Sequence, residues 1–271
     1  MIKQAIIPLA GLGTRLLPLT SVIPKELLPI AGKPGLEYIL DECIVAGVKE
    51  IILIISYKKK FIKDYFYKDN FYKKLIKKKK DKRLILEFKK IKKYRKFIKF
   101  VYQNKPKGTG DAVLKTKHLI KQNFFLMLLP DDLIIKKNCS KSMISIHNKY
   151  NSGVMASMNV NKKNVSRWGI YDVKKRINKN NFIIKNVFEK PSTNKAPSNK
   201  AVIGRYILPK LIFNKLKKQK KGKGGEIHIT DAIQSLILEK NKFIGHNFAG
   251  KYLDCGTMKG YINSSLKISK I

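Results

Sequence analysis

Two short apolar runs separated by one amphipathic helix constrain the fold of this chain more than any other feature. The runs cover residues 5–10 and 49–56, and their centres are continuously apolar, without the alternation of a strand that has one face in water. Between them, apolar residues recur at helical spacing over 36–44, and Gly47 is placed to end the helix. This order predicts a βαβ unit, whose parallel strands are buried on both faces.

The remainder of the chain continues this alternation. Apolar runs predict further strands at 97–103, 124–129, 154–160, 169–173, 182–188 and 201–208, and helical spacing predicts helices at 109–120, 210–217 and 230–239. With 271 residues, 44% of them hydrophobic, the chain is long enough to bury a sizeable core. We therefore predict a single α/β domain over 1–271, with a Rossmann-like mixed, mainly parallel sheet flanked by helices.

The charge of the chain favours a polyanion partner, but the type of its basic residues does not. The net charge is +41, yet only six of the 59 basic residues are arginine. Proteins that bind phosphates and base edges favour arginine, whose planar fork makes paired hydrogen bonds. The abundance of Lys, Ile, Asn, Phe and Tyr instead fits a drift towards residues with AT-rich codons. We predict no specific nucleic-acid partner, although salt-sensitive binding to polyanions is expected.

A lysine-rich segment at about 58–99 differs in composition from the rest of the chain. Its lysine runs alternate with single apolar residues, as in KKKK at 77–80 and KKIKK at 89–93. Such a segment is either an arm that binds polyanions or a helical insert whose solvated positions have become lysine. We favour the insert, within the single domain.

Cysteine spacing and hydropathy indicate the compartment. Cys43, Cys139 and Cys255 are about 100 residues apart and form no CxxC pair, which argues against a zinc site or a disulfide framework and favours a reducing compartment. No secretory leader is visible, and the longest apolar runs, 51–55 and 124–129, are far short of the ~20 residues that span a bilayer. We predict a soluble, cytoplasmic protein with no membrane partner.

A glycine-rich turn follows the first predicted strand, with the sequence LAGLGTR at 9–15. Glycines in such a turn let backbone N–H groups approach a phosphate chain. Neither common cofactor motif applies, because Leu16 stands where GxGxxG requires its third glycine and the GK[ST] of a P-loop is absent. Two cations, Arg15 and Lys25, flank the turn instead, and this arrangement suits a triphosphate.

Two linked segments, AGLGTRLLPLT at 10–20 and IPKELLPIAGKP at 23–34, resemble the opening signature of the sugar-1-phosphate nucleotidylyltransferases. The likeness is greatest to the bacterial uridylyltransferases of that family. It continues in the family's order through QNKPKGTGDAV at 103–113, WGIY at 168–171, EKP at 189–191 and YLDCGT at 252–257. The resemblance covers 4–262 and is weak across 58–99.

The resemblance implies a nucleotide site formed by the glycine turn and a base-reading loop. In that loop the amide of Gln103 would pair with the edge of uracil, while Asp111 is assigned no role because relatives carry other residues there. The residues implied to bind the nucleotide are Ala10, Gly11, Gly13, Thr14, Glu26, Gln103 and Gly108.

Two aspartates are candidates for metal binding. Asp131 follows an apolar run, so its carboxylate is expected at the carboxyl edge of a parallel sheet, where α/β proteins bind ligands. The alternative is a turn that ends the strand, because Pro-Asp-Asp is favourable turn chemistry. The resemblance implies that Asp131 and Asp254 hold Mg²⁺, which prefers oxygen ligands from carboxylates, phosphates and water.

The resemblance also implies the substrates. Gly169, Glu189 and Lys190 would bind the sugar phosphate, and Arg15, Lys25 and Lys190 would be catalytic. The reaction would transfer uridylyl from UTP to glucose 1-phosphate and release pyrophosphate, in a homo-oligomer that is a dimer or a tetramer. The alternatives are transfer from dTTP or to another hexose 1-phosphate and, less favoured, a non-catalytic polyanion-binding protein with the same fold.

Overall fold

The computed structural model describes residues 2–68 and 70–270. The strands are β1 (Gln4–Pro8), β2 (Pro29–Ile30), β3 (Lys33–Pro34), β4 (Glu50–Ile55), β5 (Ile98–Tyr102), β6 (Phe124–Leu128), β7 (Asp132–Ile135), β8 (Gly153–Asn159), β9 (Gly169–Arg176), β10 (Asn181–Glu189), β11 (Lys200–Pro209), β12 (Phe243–Asn247) and β13 (Lys251–Asp254). The α-helices are α1 (Gly35–Val45), α2 (Lys60–Tyr67), α3 (Asn70–Lys79), α4 (Lys82–Tyr94), α5 (Thr109–Leu114), α6 (Cys139–Tyr150), α7 (Ile212–Lys218), α8 (Ile229–Leu238) and α9 (Met258–Ser269).

Nine of these strands form one mixed sheet in the order β5-β4-β1-β6-β11-β8-β12-β10-β9. The neighbours β5, β4, β1 and β6 are parallel, as the βαβ unit β1-α1-β4 predicts, whereas β11 is antiparallel to both β6 and β8. The parallel pairing is therefore concentrated in one half of the sheet. The predicted mixed α/β sheet is present, but it is less parallel than the sequence suggested.

The parallel half of the sheet is buried on both faces, which explains its continuous apolar runs. On one face, Ile7 and Leu53 belong to a core that also contains apolar residues of α1 and α6. On the other face, Ile6 and Ile52 belong to a core shared with α5, α7 and α8. Alternate residues of each strand thus pack against different helical layers.

Every strand predicted from an apolar run is present, with ends shifted by at most a few residues. The helix predicted at 109–120 is shorter and ends at Leu114. The chain turns after this point because its next segment is tied to β1: Gln4 donates to the carbonyl of Leu119 and accepts from the backbone N–H of Lys121. Local periodicity does not contain this contact between distant segments.

The two-residue strands β2 and β3 were not predicted. Among the longer strands and the α-helices, five elements were also not predicted: β7, β12, β13, α6 and α9. The strands among them are four or five residues long, too short for a clear pattern. The polar composition of α6 (CSKSMISIHNKY) obscures a narrow stripe that includes the buried residues Met143 and Ile144. A cap signal was available, because Asn138 accepts a hydrogen bond from the backbone N–H of Lys141.

Three helices, α2 to α4, occupy most of the lysine-rich segment. They are not wholly solvated, because Ile62 and Phe66 are buried in the main core. Lys90 of α4 also reaches Glu37 of α1, with 3.1 Å between Nζ and Oε2.

Across residues 2–68 and 70–270, no helix combines the length and apolar character that crossing a membrane requires.

Candidate active site

Loops that carry predicted site residues meet at one edge of the sheet. Because β1, β4, β5 and β6 are parallel, their carboxyl ends lie side by side. The glycine turn follows β1, Gln103 follows β5, and Asp131 lies three residues beyond the end of β6. Ligands of open α/β sheets bind at this edge.

The glycine turn depends on a left-handed residue. Gly13 has a φ of 70°, a conformation that costs glycine little. A Cβ at this position would lie 3.2 Å from Cγ2 of Thr20. The Thr20 hydroxyl donates to the Gly13 carbonyl at 2.9 Å. The backbone conformation therefore favours glycine at position 13, and a side chain there would also crowd the Thr20 methyl group.

A cavity of about 380 Å³ opens beside this turn. Its volume is within the range of small-molecule sites. The residues implied by the resemblance to bind the nucleotide all line it, together with Lys25 and Asp131. The implied nucleotide-binding residues that line the cavity are Ala10, Gly11, Gly13, Thr14, Glu26, Gln103 and Gly108.

Lys25 is the cation most closely held at this cavity. Its Nζ lies 2.8 Å from Oδ2 of Asp131, and its side chain is only 15% exposed. Burial acts to lower the pKa of Lys25, but the Asp131 and Glu26 carboxylates outweigh burial and raise the pKa above its ordinary value. Lys25 therefore supplies a fixed positive charge at neutral pH.

Arg15 approaches the same carboxylate from a more exposed position. Its Nη2 lies 3.4 Å from Oδ2 of Asp131, and its side chain is 64% exposed. Exposed ion pairs are weak, so the guanidinium is free to turn towards an incoming phosphate. Burial acts to raise the pKa of Asp131, but Lys25 and Arg15 keep that pKa below its ordinary value.

Strand pairing brings Asp254 to this cluster. In the β7–β13 pair, Asp254 lies opposite Asp132, and the N–H of Cys255 donates to the Asp131 carbonyl at 2.8 Å. A Cβ on the next residue, Gly256, would lie 2.8 Å from Arg15 Nη2, 2.9 Å from Asp131 Oδ2 and 3.2 Å from Asp254 Oδ1. The guanidinium and the two carboxylates thus converge around one glycine.

The acidic groups at this cluster fit a divalent cation that arrives with a phosphate ligand. No group of three or more His, Cys, Asp or Glu side chains in the described residues could hold a metal ion. Asp131 and Asp254 supply two carboxylates beside the nucleotide cavity. Mg²⁺ is commonly held by one or two carboxylates, with phosphate and water oxygens completing its shell.

A second cavity, of about 210 Å³, adjoins the first and shares Thr109 and Leu129 with it. Gly169 and Glu189 line this cavity, as the predicted sugar site requires. Lys190 does not contact the Asp131 cluster: its side chain is 58% exposed, and its Nζ lies 4.0 Å from Oε1 of Glu189.

Asp132 lines the second cavity, although the sequence indicated no specific contacts for it. Its carboxylate accepts hydrogen bonds from the Tyr252 hydroxyl at 2.7 Å and from the Gly204 N–H at 2.8 Å. Burial, followed by the charge of Asp131, raises the pKa of Asp132 to about 6. These contacts fix one wall of the second cavity.

A buried arginine holds the segment that carries Asp131. Arg205, which is fully buried, donates to the carbonyls of Leu129 at 3.1 Å and Asp132 at 2.6 Å, on either side of Asp131. Its Nη2 pairs with Oε2 of Glu42 at 2.9 Å. No signal in the sequence indicated this role, because Glu42 lies 163 residues away.

A second buried ion pair supports the glycine turn. Lys59 donates to both oxygens of Glu26 at 2.9 Å and to the Leu9 carbonyl at 2.7 Å. Lys59 belongs to the segment whose lysines were predicted to be solvated, and its burial contradicts that prediction at this position. The Glu26 carboxylate, implied to bind nucleotide, therefore already has a partner within the protein.

Comparison with known proteins identifies the family. Residues 4–271 match the family model described as Nucleotidyl transferase. The chain belongs to the nucleotidyl transferase family. It is 36% identical to the UTP–glucose-1-phosphate uridylyltransferase of Bacillus subtilis, over 99% of this chain and 91% of that protein. The identity to the Mycoplasma pneumoniae enzyme of the same name is also 36%, over 98% of this chain and 91% of that protein.

Solved structures of similar proteins agree with the fold of this nucleotidyl transferase. A UDP-glucose pyrophosphorylase in complex with UDP-glucose superposes with a TM-score of 0.87 at 36% identity, covering 100% of this chain and 99% of the other. A UTP-bound enzyme from Acinetobacter baumannii gives a TM-score of 0.91 at 33% identity, covering 99% of this chain and 93% of the other. The predicted nucleotidyltransferase fold is confirmed.

Proposed function

We propose that this nucleotidyl transferase converts UTP and α-D-glucose 1-phosphate into UDP-glucose and pyrophosphate. The observation that carries the proposal is the junction of the two cavities at Thr109 and Leu129, beside the cluster of Lys25, Asp131 and Asp254. A nucleotide in one cavity and a sugar phosphate in the other would meet at this cluster. The relatives named for this reaction support the assignment.

The reaction would proceed by direct attack of a sugar-phosphate oxygen on the α-phosphorus of UTP. The new bond joins that oxygen to the α-phosphorus, and the bond to the bridging oxygen of pyrophosphate breaks. The attacking phosphate is already an anion at neutral pH, so the step needs no general base. The protein's contribution is to position two polyanions and to offset the charge that repels them.

Each charged side chain then has a distinct task. Lys25 and Arg15 would hold the α-phosphate and the departing pyrophosphate, because both lie at the Asp131 end of the nucleotide cavity. Asp131 and Asp254 would hold Mg²⁺. The bound ion would neutralise phosphate charge and fix the geometry of the triphosphate.

In the second cavity, Glu189 would accept hydrogen bonds from sugar hydroxyls. A Cβ on Gly169 would lie 3.3 Å from Oε2 of Glu189, so the absence of a side chain there keeps the floor of this site open. Lys190, the first residue after β10, would then have to move its side chain from Glu189 to the sugar phosphate.

Lys190→Ala is expected to lower kcat/KM for glucose 1-phosphate by about 10²-fold, with a smaller change in the KM for UTP. The reason is loss of the only positive charge that we assign to the attacking phosphate. The measurement is steady-state pyrophosphate release with each substrate varied in turn. Lys195→Ala removes a neighbouring exposed lysine and serves as the control. Equal effects of the two substitutions would refute the role of Lys190.

The function itself is tested with a matrix of the four ribonucleoside triphosphates and dTTP against the 1-phosphates of glucose, galactose and mannose. UTP with glucose 1-phosphate is expected to give the fastest pyrophosphate release, and EDTA is expected to abolish it. Preference for dTTP would favour a thymidylyltransferase, and preference for another sugar would reassign the acceptor. Absence of release with every pair would contradict the proposal.

We further propose a cytoplasmic homo-oligomer. All three cysteines are free and buried, which supports a reducing compartment. Analytical ultracentrifugation of the purified chain would determine whether it forms a dimer or a tetramer.

A further inference from the structure

Gln103, the residue predicted to read the base, has its amide nitrogen fully engaged by the protein. Its Nε2 donates to Oδ2 of Asp111 at 2.7 Å and to the carbonyl of Gly108 at 3.2 Å. The side chain is buried and lines the nucleotide cavity. Both hydrogens of the amide nitrogen are therefore directed away from any ligand.

This pairing fixes which way the amide faces. A carboxylate accepts hydrogen bonds and donates none, so the –NH₂ group of Gln103 must face Asp111. Turning the amide over would place Oε1 against Oδ2 of Asp111, two acceptors at close range. Oε1 accepts no hydrogen bond from any residue that the structure describes. Gln103 thus offers a ligand an acceptor and no donor.

The surrounding backbone holds Asp111 in place. Asp111 lies in the first turn of α5, where a negative side chain interacts favourably with the helix N-terminus. The turn is anchored to a distant segment: the Gly110 N–H donates to the Ile227 carbonyl at 2.7 Å, and the Ile227 N–H donates to the Lys107 carbonyl at 2.8 Å. A Cβ on Gly108 would lie 2.6 Å from the Ile227 oxygen, so this approach requires glycine.

We propose that Asp111 is a positioning residue that determines base selectivity by locking the orientation of the Gln103 amide. The inference rests on the proposed function, in which Gln103 faces the pyrimidine edge. Uracil and thymine carry an N3–H donor, which matches a fixed acceptor. Cytosine carries an unprotonated N3 acceptor, which the same oxygen repels. The locked amide therefore admits uracil and thymine and excludes cytosine.

The decisive variant is Asp111→Asn, which keeps the size of the side chain but adds a donor. Its Nδ2 can donate to Gln103 Oε1, so the turned-over amide gains a hydrogen bond at residue 111 and is opposed only by the more distant Gly108 carbonyl, at 3.2 Å. The Gln103 amide can then turn over and present a donor to cytosine. The ratio of kcat/KM for UTP to that for CTP is expected to fall by about 10-fold, because a repulsion between two acceptors at N3 of cytosine is replaced by one neutral hydrogen bond. The ratio of UTP to 5-methyl-UTP should not change, because both bases carry N3–H.

Asp111→Glu is the matched control, since it keeps an acceptor-only carboxylate, and the variant is expected to retain exclusion of CTP. Thermal unfolding of both variants separates loss of selectivity from loss of fold. If Asp111 had only a general structural role, kcat/KM would fall equally for UTP, 5-methyl-UTP and CTP, and both ratios would stay unchanged. That result would overturn the proposal. Wild-type protein that uses CTP within 10-fold of UTP would also overturn it, without any variant.

The test separates this inference from the proposed function. If the wild type turns over UTP and the UTP/CTP ratio of kcat/KM is unchanged in Asp111→Asn, the role of Asp111 is contradicted and the proposed function is not. Absence of turnover in the wild type would sink the proposed function, and calorimetric binding of UTP and CTP would then test Asp111. The proposal is supported if the wild type binds UTP more tightly than CTP and this difference in affinity is smaller in Asp111→Asn. It is contradicted if the difference between UTP and CTP affinity is the same in both proteins.

Discussion

Lys25→Ala is expected to slow pyrophosphate release by about 10²–10³-fold, the usual loss when one fixed donor to a developing charge is removed. Lys25 is the least exposed cation at the cavity that contacts Asp131, and its charge is already fixed before the substrate binds. Preorganised charges of this kind need little rearrangement during the reaction. The measurement is kcat with saturating UTP, glucose 1-phosphate and Mg²⁺.

Lys33→Ala provides a matched control for this variant. Lys33 also pairs with an aspartate, Asp41, at 2.7 Å, but it does not line the nucleotide cavity. We expect Lys33→Ala to retain turnover within a few-fold of the wild type. Near-normal turnover in Lys25→Ala, or equal losses in the two variants, would contradict the role assigned to Lys25.

Arg205→Met is expected to lower the free energy of unfolding by about 3–5 kcal/mol, the cost of leaving one partner of a buried ion pair uncompensated. Arg205 is fully buried, and its removal leaves the Glu42 carboxylate buried without its ionic partner. Burial acts to lower the pKa of Arg205, but the neighbouring Glu42 outweighs burial and raises that pKa, so the guanidinium is charged in the folded protein. Urea unfolding of the wild type and the variant measures the loss.

The double variant Arg205→Met with Glu42→Met distinguishes two causes of lost stability, a buried charge without a partner and lost packing. Removing both charges is expected to restore part of the stability, because apolar residues can replace a buried pair at little cost. The carbonyls of Leu129 and Asp132 would still lack their donor, so turnover should remain low. A double variant as unstable as Arg205→Met would contradict the assignment, as would a loss below about 1 kcal/mol in the single variant.

The main strands of the fold were predictable from the sequence because parallel strands buried on both faces have continuous apolar runs. Strands β1 and β4 and helix α1 follow from residues within 4–55 alone. The antiparallel share of the sheet was not predictable, because β11 joins β6 through a contact between distant segments. Short β7 and β13 also lack a local pattern, yet their pairing places Asp254 opposite Asp132.

The candidate site was predictable where a motif marked it, as in the glycine turn and the aspartate after β6. The residues that hold the site in place were not predictable, because each depends on a partner far away in the chain or on burial that only the folded chain shows. Lys59 is one lysine among many in its segment, and only the folded chain shows that it is buried against Glu26, 33 residues earlier. Asp111 lies eight residues from Gln103, but its role depends on the direction of one amide.

The central claim is that charged residues from separate loops converge to join a nucleotide to a sugar phosphate. The most direct test is ³¹P NMR of the purified chain with UTP, glucose 1-phosphate and Mg²⁺. The predicted result is the appearance of UDP-glucose and pyrophosphate in equal amounts, with no UMP or inorganic phosphate. A spectrum that stays unchanged, or hydrolysis of UTP without a sugar nucleotide, would contradict the claim.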